Sequence, residues 1–250
     1  MKKIFTILAA TLFVSTSYAC FDTYLFLNKK SMVYPTGMFA FDTLIEYSGN
    51  KIVSPEEDTL FMNVNLFYGV SKEFSVQIGI STSEATRYDV LNIESFGIRA
   101  VYNVISHENK NLLPNTFTFD IILEHHQGIF GKNISFDFSF PGIAYIDRFA
   151  IVVHPVFSLA DIEKTVVEYS LGGHLGIFYL LDNTLLGIGA EYNSAQNGST
   201  FGSRIIEGES GISLFFGAKL GNNIYIQNEF AKGIANSRDF GFAFTMKIIP

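Results

Sequence analysis

The sequence predicts an all-β protein, an antiparallel up-and-down transmembrane β-barrel of about twelve strands. Three observations support this prediction. Apolar residues recur at every second position in short runs, the links between runs alternate between long and short, and 48% of the 250 residues are hydrophobic. Beyond the N-terminus no apolar run approaches the length of a membrane helix. Because an open sheet would leave unpaired backbone groups in lipid, membrane strands of this kind close into a barrel.

The first 19 residues have the features of a secretory signal peptide. Lys2 and Lys3 precede an apolar core over residues 4–14, and residues 17–19 (SYA) form a small-x-small cleavage site. The apolar core is shorter than the roughly 20 residues that a spanning helix requires. We therefore expect residues 1–19 to be removed and the mature chain to lie outside the cytoplasm.

The mature chain is acidic and contains a single cysteine. It has 15 basic against 24 acidic side chains, a formal charge of −9, which argues against a nucleic-acid partner. Cys20 is the only cysteine, so no intrachain disulfide is expected. It follows the predicted cleavage site directly, as the acylated cysteine of a bacterial lipoprotein does, but Ser17 and Tyr18 match the lipoprotein pattern poorly. Lipidation and an incidental N-terminal residue both stay open.

Twelve runs with alternating polarity are bounded by turn residues. They are residues 39–47, the two arms of 60–81, 90–104, 116–125, 135–146, 149–159, 167–180, 184–193, 211–220, 224–231 and 240–249. The pair Pro141-Gly142 falls within the sixth run and predicts a β-bulge there.

Each run combines an apolar parity with a polar or small one, and the apolar parity is expected to face lipid. In chain order, examples are Phe39 and Phe41 against Asp42 and Glu46; Val64 and Leu66 against Asn63 and Asn65; Val76 and Ile78 against Ser75 and Gln77; Phe96 and Ile98 against Gly97 and Arg99; Phe117 and Phe119 against Thr118 and Asp120; Phe136 and Phe138 against Asp137 and Ser139; Ile151 and Val153 against His154; Leu175 and Ile177 against His174 and Gly176; Ile212 and Leu214 against Ser213; and Phe242 and Phe244 against Gly241 and Ala243.

The links between runs alternate in length. The long polar links are residues 48–58, 82–89, 126–134, 160–166, 194–210 and 232–239, and the short ones are 71–73, 147–148, 181–183 and 221–223. Only the link over residues 105–115 is longer than this alternation requires. Every long link then falls at one end of the barrel, a regularity that a soluble β-sandwich does not predict.

The strand ends and the last strand resemble a known family. Aromatic residues on the lipid parity cluster at the short-link end, as in an interfacial girdle: Tyr68, Phe74, Tyr102, Phe117, Phe149 and Tyr179. The last strand, DFGFAFTM, is similar to the C-terminal assembly signal of outer-membrane barrels, matched by Asp239, Gly241, Phe244 and Met246. Residues 38–250 thus resemble single-chain bacterial outer-membrane β-barrels. The resemblance implies periplasmic termini, insertion by the barrel-assembly machinery, and contact with outer-membrane lipids and lipopolysaccharide.

The inward parity is rich in ionisable residues that would line the lumen. These are Asp42, Glu46, Arg99, Asp120, Glu124, Asp137, His154, Glu168, His174, Glu191, Lys219, Glu229 and Lys247. One interpretation is a narrow pore whose acidic lining favours cations. The other is a closed lumen filled by side chains that pair with one another. The sequence leaves both open.

No catalytic, cofactor or metal site is predicted. Residues 124–126 (EHH) at the outer rim could supply a base, but no serine or second acidic pair has a spacing that ties it to His125. Adjacent histidines on a strand face opposite sides, which disfavours a shared metal. The leading hypothesis is a small channel or structural surface protein; the alternatives are a barrel enzyme acting on lipid or peptide, and a soluble secreted β-sandwich.

The segment of residues 20–37 (CFDTYLFLNKKSMVYPTG) precedes the first predicted strand. Three placements are open to it: a plug inside the lumen, a strap along the periplasmic rim, or a partial strand. The longest predicted link, residues 194–210, could fold inward or extend outward.

Overall fold

The computed structural model of the chain describes residues 21–49, 59–84, 92–108, 114–128, 133–162, 166–193, 209–235 and 240–250. The predicted signal peptide, Cys20 and most of the predicted long links lie outside these residues. Within the described ranges, no helix has the length and apolarity needed to cross a membrane.

The described chain forms one short helix followed by thirteen β-segments. They are α1 (Thr23–Leu27), β1 (Phe39–Gly49), β2 (Thr59–Gly69), β3 (Phe74–Glu84), β4 (Asn92–Glu108), β5 (Thr116–Gly128), β6 (Asn133–Ser139), β7 (Gly142–Ile146), β8 (Phe149–Ile162), β9 (Val166–Leu180), β10 (Thr184–Asn193), β11 (Glu209–Leu220), β12 (Ile224–Ala235) and β13 (Phe240–Ile248).

The sheet closes on itself. Each segment pairs antiparallel with its neighbours, and β1 pairs with β13, with Phe41 opposite Ile248. Both β6 and β7 lie between β5 and β8, so the thirteen segments occupy twelve positions around the barrel. The predicted fold, an antiparallel up-and-down β-barrel of about twelve strands, is confirmed.

The break between β6 and β7 is not the predicted bulge. On β5, Ile122 pairs with Ser139 and Phe119 pairs with Gly142, so both strands advance by the same number of residues. No residue is inserted. The ladder is interrupted because Pro141 has no N–H to donate. Register shifts occur instead at Ser81/Thr82, Asn103/Ile105 and Ser210/Gly211.

The predicted long link over residues 105–115 is wrong at its beginning. Strand β4 continues to Glu108, which pairs with Thr116 at the start of β5. This hairpin therefore extends past the other short turns. Its polar residues, such as His107, hid the strand from the alternation pattern, because a strand end in water has no apolar face to preserve.

The two faces of the barrel differ in the way that the alternation predicted. Outward side chains at mid-strand are apolar and open to the surroundings: Ile78 is 53% exposed, Ile98 57% and Leu214 61%. Inward neighbours such as Gln77 and Arg99 are buried. The apolar band is the surface that a membrane barrel presents to hydrocarbon.

Candidate functional site: the barrel lumen

Residues 21–38, here called the N-terminal segment, lie against the inward face of the barrel. Eight of its side chains are at most 7% exposed: Phe21, Thr23, Tyr24, Leu25, Phe26, Met32, Val33 and Tyr34. The ring centres of Phe26 and of Phe178 on β9 are 4.6 Å apart, and those of Tyr34 and of Phe67 on β2 are 4.9 Å apart. The segment thus fills lumen space near the short-turn end.

Helix α1 is held in place by a capping residue and by the barrel. The carboxylate of Asp22 accepts a hydrogen bond of 2.9 Å from the Tyr24 N–H and caps the helix. A helix of five residues is not stable alone in water. Its conformation therefore depends on burial against the barrel wall.

Hydrogen bonds fix the N-terminal segment to widely separated strands. The Met32 N–H donates to Oδ2 of Asp120 on β5 at 3.0 Å. The hydroxyl of Thr23 donates to Oε1 of Gln227 on β12 at 2.9 Å. The hydroxyl of Tyr145 on β7 donates to a backbone carbonyl of the segment, that of residue 30, at 2.7 Å.

Lys247 on β13 forms the main ionic contact with the N-terminal segment. Its ammonium donates to Asp22 and to the hydroxyl of Tyr34, lies 3.4 Å from Oδ2 of Asp42, and sits 4.3 Å from the centre of the Phe67 ring. Burial, followed by the nearby Asp22 carboxylate, raises the pKa of Tyr34 well above its ordinary value. The phenol therefore stays neutral, accepting from Lys247 and donating to Asp22 at 2.7 Å.

Glycines on the wall make room for the N-terminal segment. A Cβ added at Gly217 would lie 2.3 Å from Oγ1 of Thr23, and one at Gly176 would lie 2.7 Å from the Phe21 ring. Both distances are shorter than any real carbon contact. Here the lack of a side chain lets the segment approach the backbone of β9 and β11 directly.

Replacing Gly217 with alanine is therefore expected to destabilise the folded barrel by about 1–3 kcal/mol, the usual cost of overpacking. Gly142→Ala is the matched control, because its added Cβ would have its nearest neighbour 3.9 Å away; we expect a change within about 0.5 kcal/mol. Urea titration in detergent micelles, read from the heat-modifiable band, gives both values. Equal effects at the two glycines would contradict the close approach of the N-terminal segment to Gly217.

A chamber rich in carboxylates, here called the outer chamber, lies nearer the long-link end. Glu46 is 5% exposed and Glu229 is 4% exposed, with the Ser213 hydroxyl donating to Glu229 at 2.6 Å. Glu124 lies 2.8 Å from Nε2 of His126 and its other oxygen is 3.7 Å from Nε of Arg99. The Glu124 carboxylate is thus placed between His126 and Arg99. The chamber as a whole carries more carboxylates than cationic groups.

A histidine pair borders the outer chamber. The rings of His154 on β8 and His174 on β9 are opposite each other with centres 5.8 Å apart, and Phe21 meets His174 edge-on at 6.2 Å. His154 is 2% exposed. Within the described ranges, no group of three or more His, Cys, Asp or Glu side chains is arranged to hold a metal ion.

The predicted lumen residues differ in how they meet the N-terminal segment. Asp120 and Lys247 contact it directly, Asp42 contacts Lys247, Arg99 and Asp42 border the cavity beside it, and His174 meets the ring of Phe21. Lys219 lies 5.7 Å from the ring of Tyr225. The other predicted residues with described side chains are Glu46, Glu124, Asp137, His154, Glu191 and Glu229. The side chain of Glu168 lies outside the described part of the chain.

Several inward residues that form one buried cluster with the N-terminal segment were missed because they are apolar. They include Phe67, Val101, Ile122, Tyr145, Val152, Phe178, Leu185 and Phe215, each at most 6% exposed. The sequence did contain a signal for these residues. They are large apolar side chains at inward positions, where the alternation otherwise places polar or small residues, and most of them lie near short turns. Asp22 was missed because it precedes the first strand.

Comparison with known proteins adds evidence on the fold. No protein-family model and no curated protein matches the sequence. Among solved structures, the chain is similar to the COG4313 outer membrane channel from Pseudomonas putida F1, with a TM-score of 0.67 and 11% identity over 87% of this chain and 97% of that chain. The chain has the fold of outer-membrane channels.

Two porins share this outer-membrane channel fold. The KdgM porin, solved in complex with disordered oligogalacturonate, gives a TM-score of 0.55 at 12% identity, covering 84% of this chain and 98% of that chain. The NanC porin gives a TM-score of 0.55 at 7% identity, covering 83% and 98%. At such identities the likeness establishes the barrel fold and leaves the substrate to the residues of this chain.

Proposed function

We propose that this chain is a small outer-membrane channel that favours cations. The observation that carries the proposal is the excess of carboxylates over cationic groups on the inward face. The described carboxylates of the barrel wall are Asp42, Glu46, Asp120, Glu124, Asp137, Glu191 and Glu229, and its cationic groups are Arg99, Lys219 and Lys247. Negative charge in a narrow lumen raises the local concentration of cations and excludes anions.

The proposed location is the bacterial outer membrane. The exposed apolar band and the likeness to outer-membrane channels support it. In this proposal the barrel-assembly machinery inserts the chain, lipopolysaccharide contacts its outer end, and the short turns face the periplasm. The structure describes three of the four residues of the predicted assembly signal. They are Gly241, Phe244 and Met246, all in β13.

The barrel-enzyme alternative has less support. Its best candidate is the contact between His126 and Glu124, but Glu124 also faces Arg99, as in a buried ion-pair network. His125 faces the other way, with its ring stacked 4.5 Å from Phe136. We therefore assign this cluster to the lining of the lumen and not to catalysis.

Reversal potentials in planar bilayers test the proposed selectivity. Under a KCl gradient we expect the purified barrel to conduct and to prefer K⁺ over Cl⁻. Glu46→Gln and Glu229→Gln should each lower the permeability ratio by about twofold, since a charge about 8 Å from a passing ion contributes about 0.5 kcal/mol in water.

Glu73→Gln is the control for this experiment, because it removes an equal charge from an exposed short turn. Its permeability ratio should match that of the unmodified chain. A folded barrel that carries no current, or one that prefers Cl⁻, would overturn the proposed function.

A further inference from the structure

The N-terminal segment meets the barrel wall differently on its two sides. Toward β7–β11 the contact is mainly apolar: the Phe21 and Phe215 rings lie 4.9 Å apart and Ala150 and Ile143 are fully buried, alongside the hydrogen bond from the Tyr145 hydroxyl to the carbonyl of residue 30. This side, here called the apolar flank, is packed like a protein core. Space without polar partners excludes water and ions.

The opposite side, here called the polar flank, faces β12, β13 and β1–β4. A cavity of about 50 Å³ remains there between the segment and the wall. Its polar lining comprises Asp42, Ser75, Gln77, Arg99, Gln227 and Lys247, alongside apolar side chains such as Phe67. A polar cavity of this size accommodates water, whereas the apolar flank does not.

Two buried polar atoms at the polar flank have no hydrogen-bond partner within the described part of the chain, as is also true of the ring nitrogens of His154 on β8. They are Oε1 of Gln77, a residue 8% exposed, and Nε of Arg99, a residue 5% exposed whose ion-pair partner Glu124 is 3.7 Å away. A buried polar atom that stays unpaired is costly, so such atoms are normally satisfied by water or by a polar ligand. Both residues line the cavity.

Phe21 lines this cavity and also a second cavity of about 10 Å³, which is bordered by Glu191, Ser213 and Glu229 of the outer chamber. The two cavities therefore share a residue at the start of the N-terminal segment.

We propose that water and small cations cross the inner half of the barrel along the polar flank, past Gln77 and Ser75, while the N-terminal segment stays in place. This route rests on the proposed channel function. The path is lined by side chains of β1, β3, β4, β12 and β13. The apolar flank serves only to anchor the segment.

Cysteine modification distinguishes the two flanks. In a chain carrying Cys20→Ser, we would compare Ser75→Cys with Ala150→Cys. Both positions are the second residue of a strand that begins at the short-turn end, and they are 2% and 0% exposed, but only Ser75 borders the polar cavity. The probe is a small cationic methanethiosulfonate reagent, added during single-channel recording.

We expect the reagent to abolish most of the current of Ser75→Cys and to leave that of Ala150→Cys unchanged. A second pair repeats the comparison two residues farther along the same strands. It sets Gln77→Cys on β3 against Val152→Cys on β8, each the fourth residue of its strand. Heat-modifiable migration verifies that each variant is folded, and a variant that fails this test is replaced by its counterpart in the other pair.

The outcomes distinguish a failure of the polar-flank route from a failure of the proposed channel function. Current that falls equally in both members of a pair, or only in Ala150→Cys and Val152→Cys, overturns the polar route while the channel function stands. Current that is insensitive in all four variants means that ions bypass the polar flank, which also overturns the route. If the unmodified chain carries no current, the proposed function fails, and the route fails with it.

Discussion

Replacing Lys247 with methionine is expected to destabilise the folded barrel by about 3–5 kcal/mol, the cost of removing one partner from a buried ionic cluster. Lys247 is 4% exposed and is the cationic partner of both Asp22 and Asp42. Without the ammonium, two carboxylates would lie close together at largely buried positions, and among the described residues Asp42 would keep the amide of Asn65 at 2.7 Å. The N-terminal segment would lose its ionic anchor to the last strand.

The triple variant Lys247→Met, Asp22→Asn, Asp42→Asn is the control for this prediction. It removes the charges together, and neutral replacements of a buried ion cluster are often close to neutral in stability. Asparagine also serves well as the helix N-cap at position 22. Urea unfolding in micelles should therefore rank the triple variant above the single one. A single variant as stable as the unmodified chain would show that Lys247 does not anchor the N-terminal segment.

Replacing Ile98 with arginine is expected to cost about 2–4 kcal/mol, the penalty for a cation on the lipid face at the bilayer midplane. Ile98 is 57% exposed and lies opposite Ile78 in the middle of the β3–β4 pair, so it belongs to the apolar band that a membrane barrel presents to hydrocarbon. Reversible folding into vesicles of short-chain lecithin gives the free energy directly.

Ile224→Arg makes the same chemical change at the barrel end. Ile224 is the first residue of β12, directly after a short turn, and is 36% exposed. At this depth the arginine reaches the headgroups, and we expect a cost of about 0–1 kcal/mol. Equal costs at Ile98 and Ile224 would mean that the apolar band is not in a membrane.

The barrel itself was predictable because strand periodicity is a local property. Side chains alternate between the two faces of a strand at every residue. The pattern over residues 96–99 therefore predicts that Phe96 and Ile98 face outward and that Gly97 and Arg99 face inward. Alternating link lengths then placed the hairpins. The continuation of β4 to Glu108 escaped the same reasoning, because beyond the membrane both faces are in water.

The placement of the N-terminal segment was not predictable by the same rule. Its partners, such as Phe178, Tyr145 and Lys247, are on strands far apart in the sequence and come together only when the barrel closes. Two of them are large aromatic residues on the parity that the alternation rule reserves for polar side chains. An apolar segment such as 21–27 (FDTYLFL) needs a matching apolar surface, and only the three-dimensional structure shows that this surface is inside the barrel.

The contact between Asp22 and Lys247 joins residues 225 positions apart. The earliest part of the described chain therefore waits for the latest before it can bury its aromatic side chains. In a chain that stops short of β13, Asp22 has no Lys247 to pair with, and we expect the apolar side chains of residues 21–27 to be covered less completely.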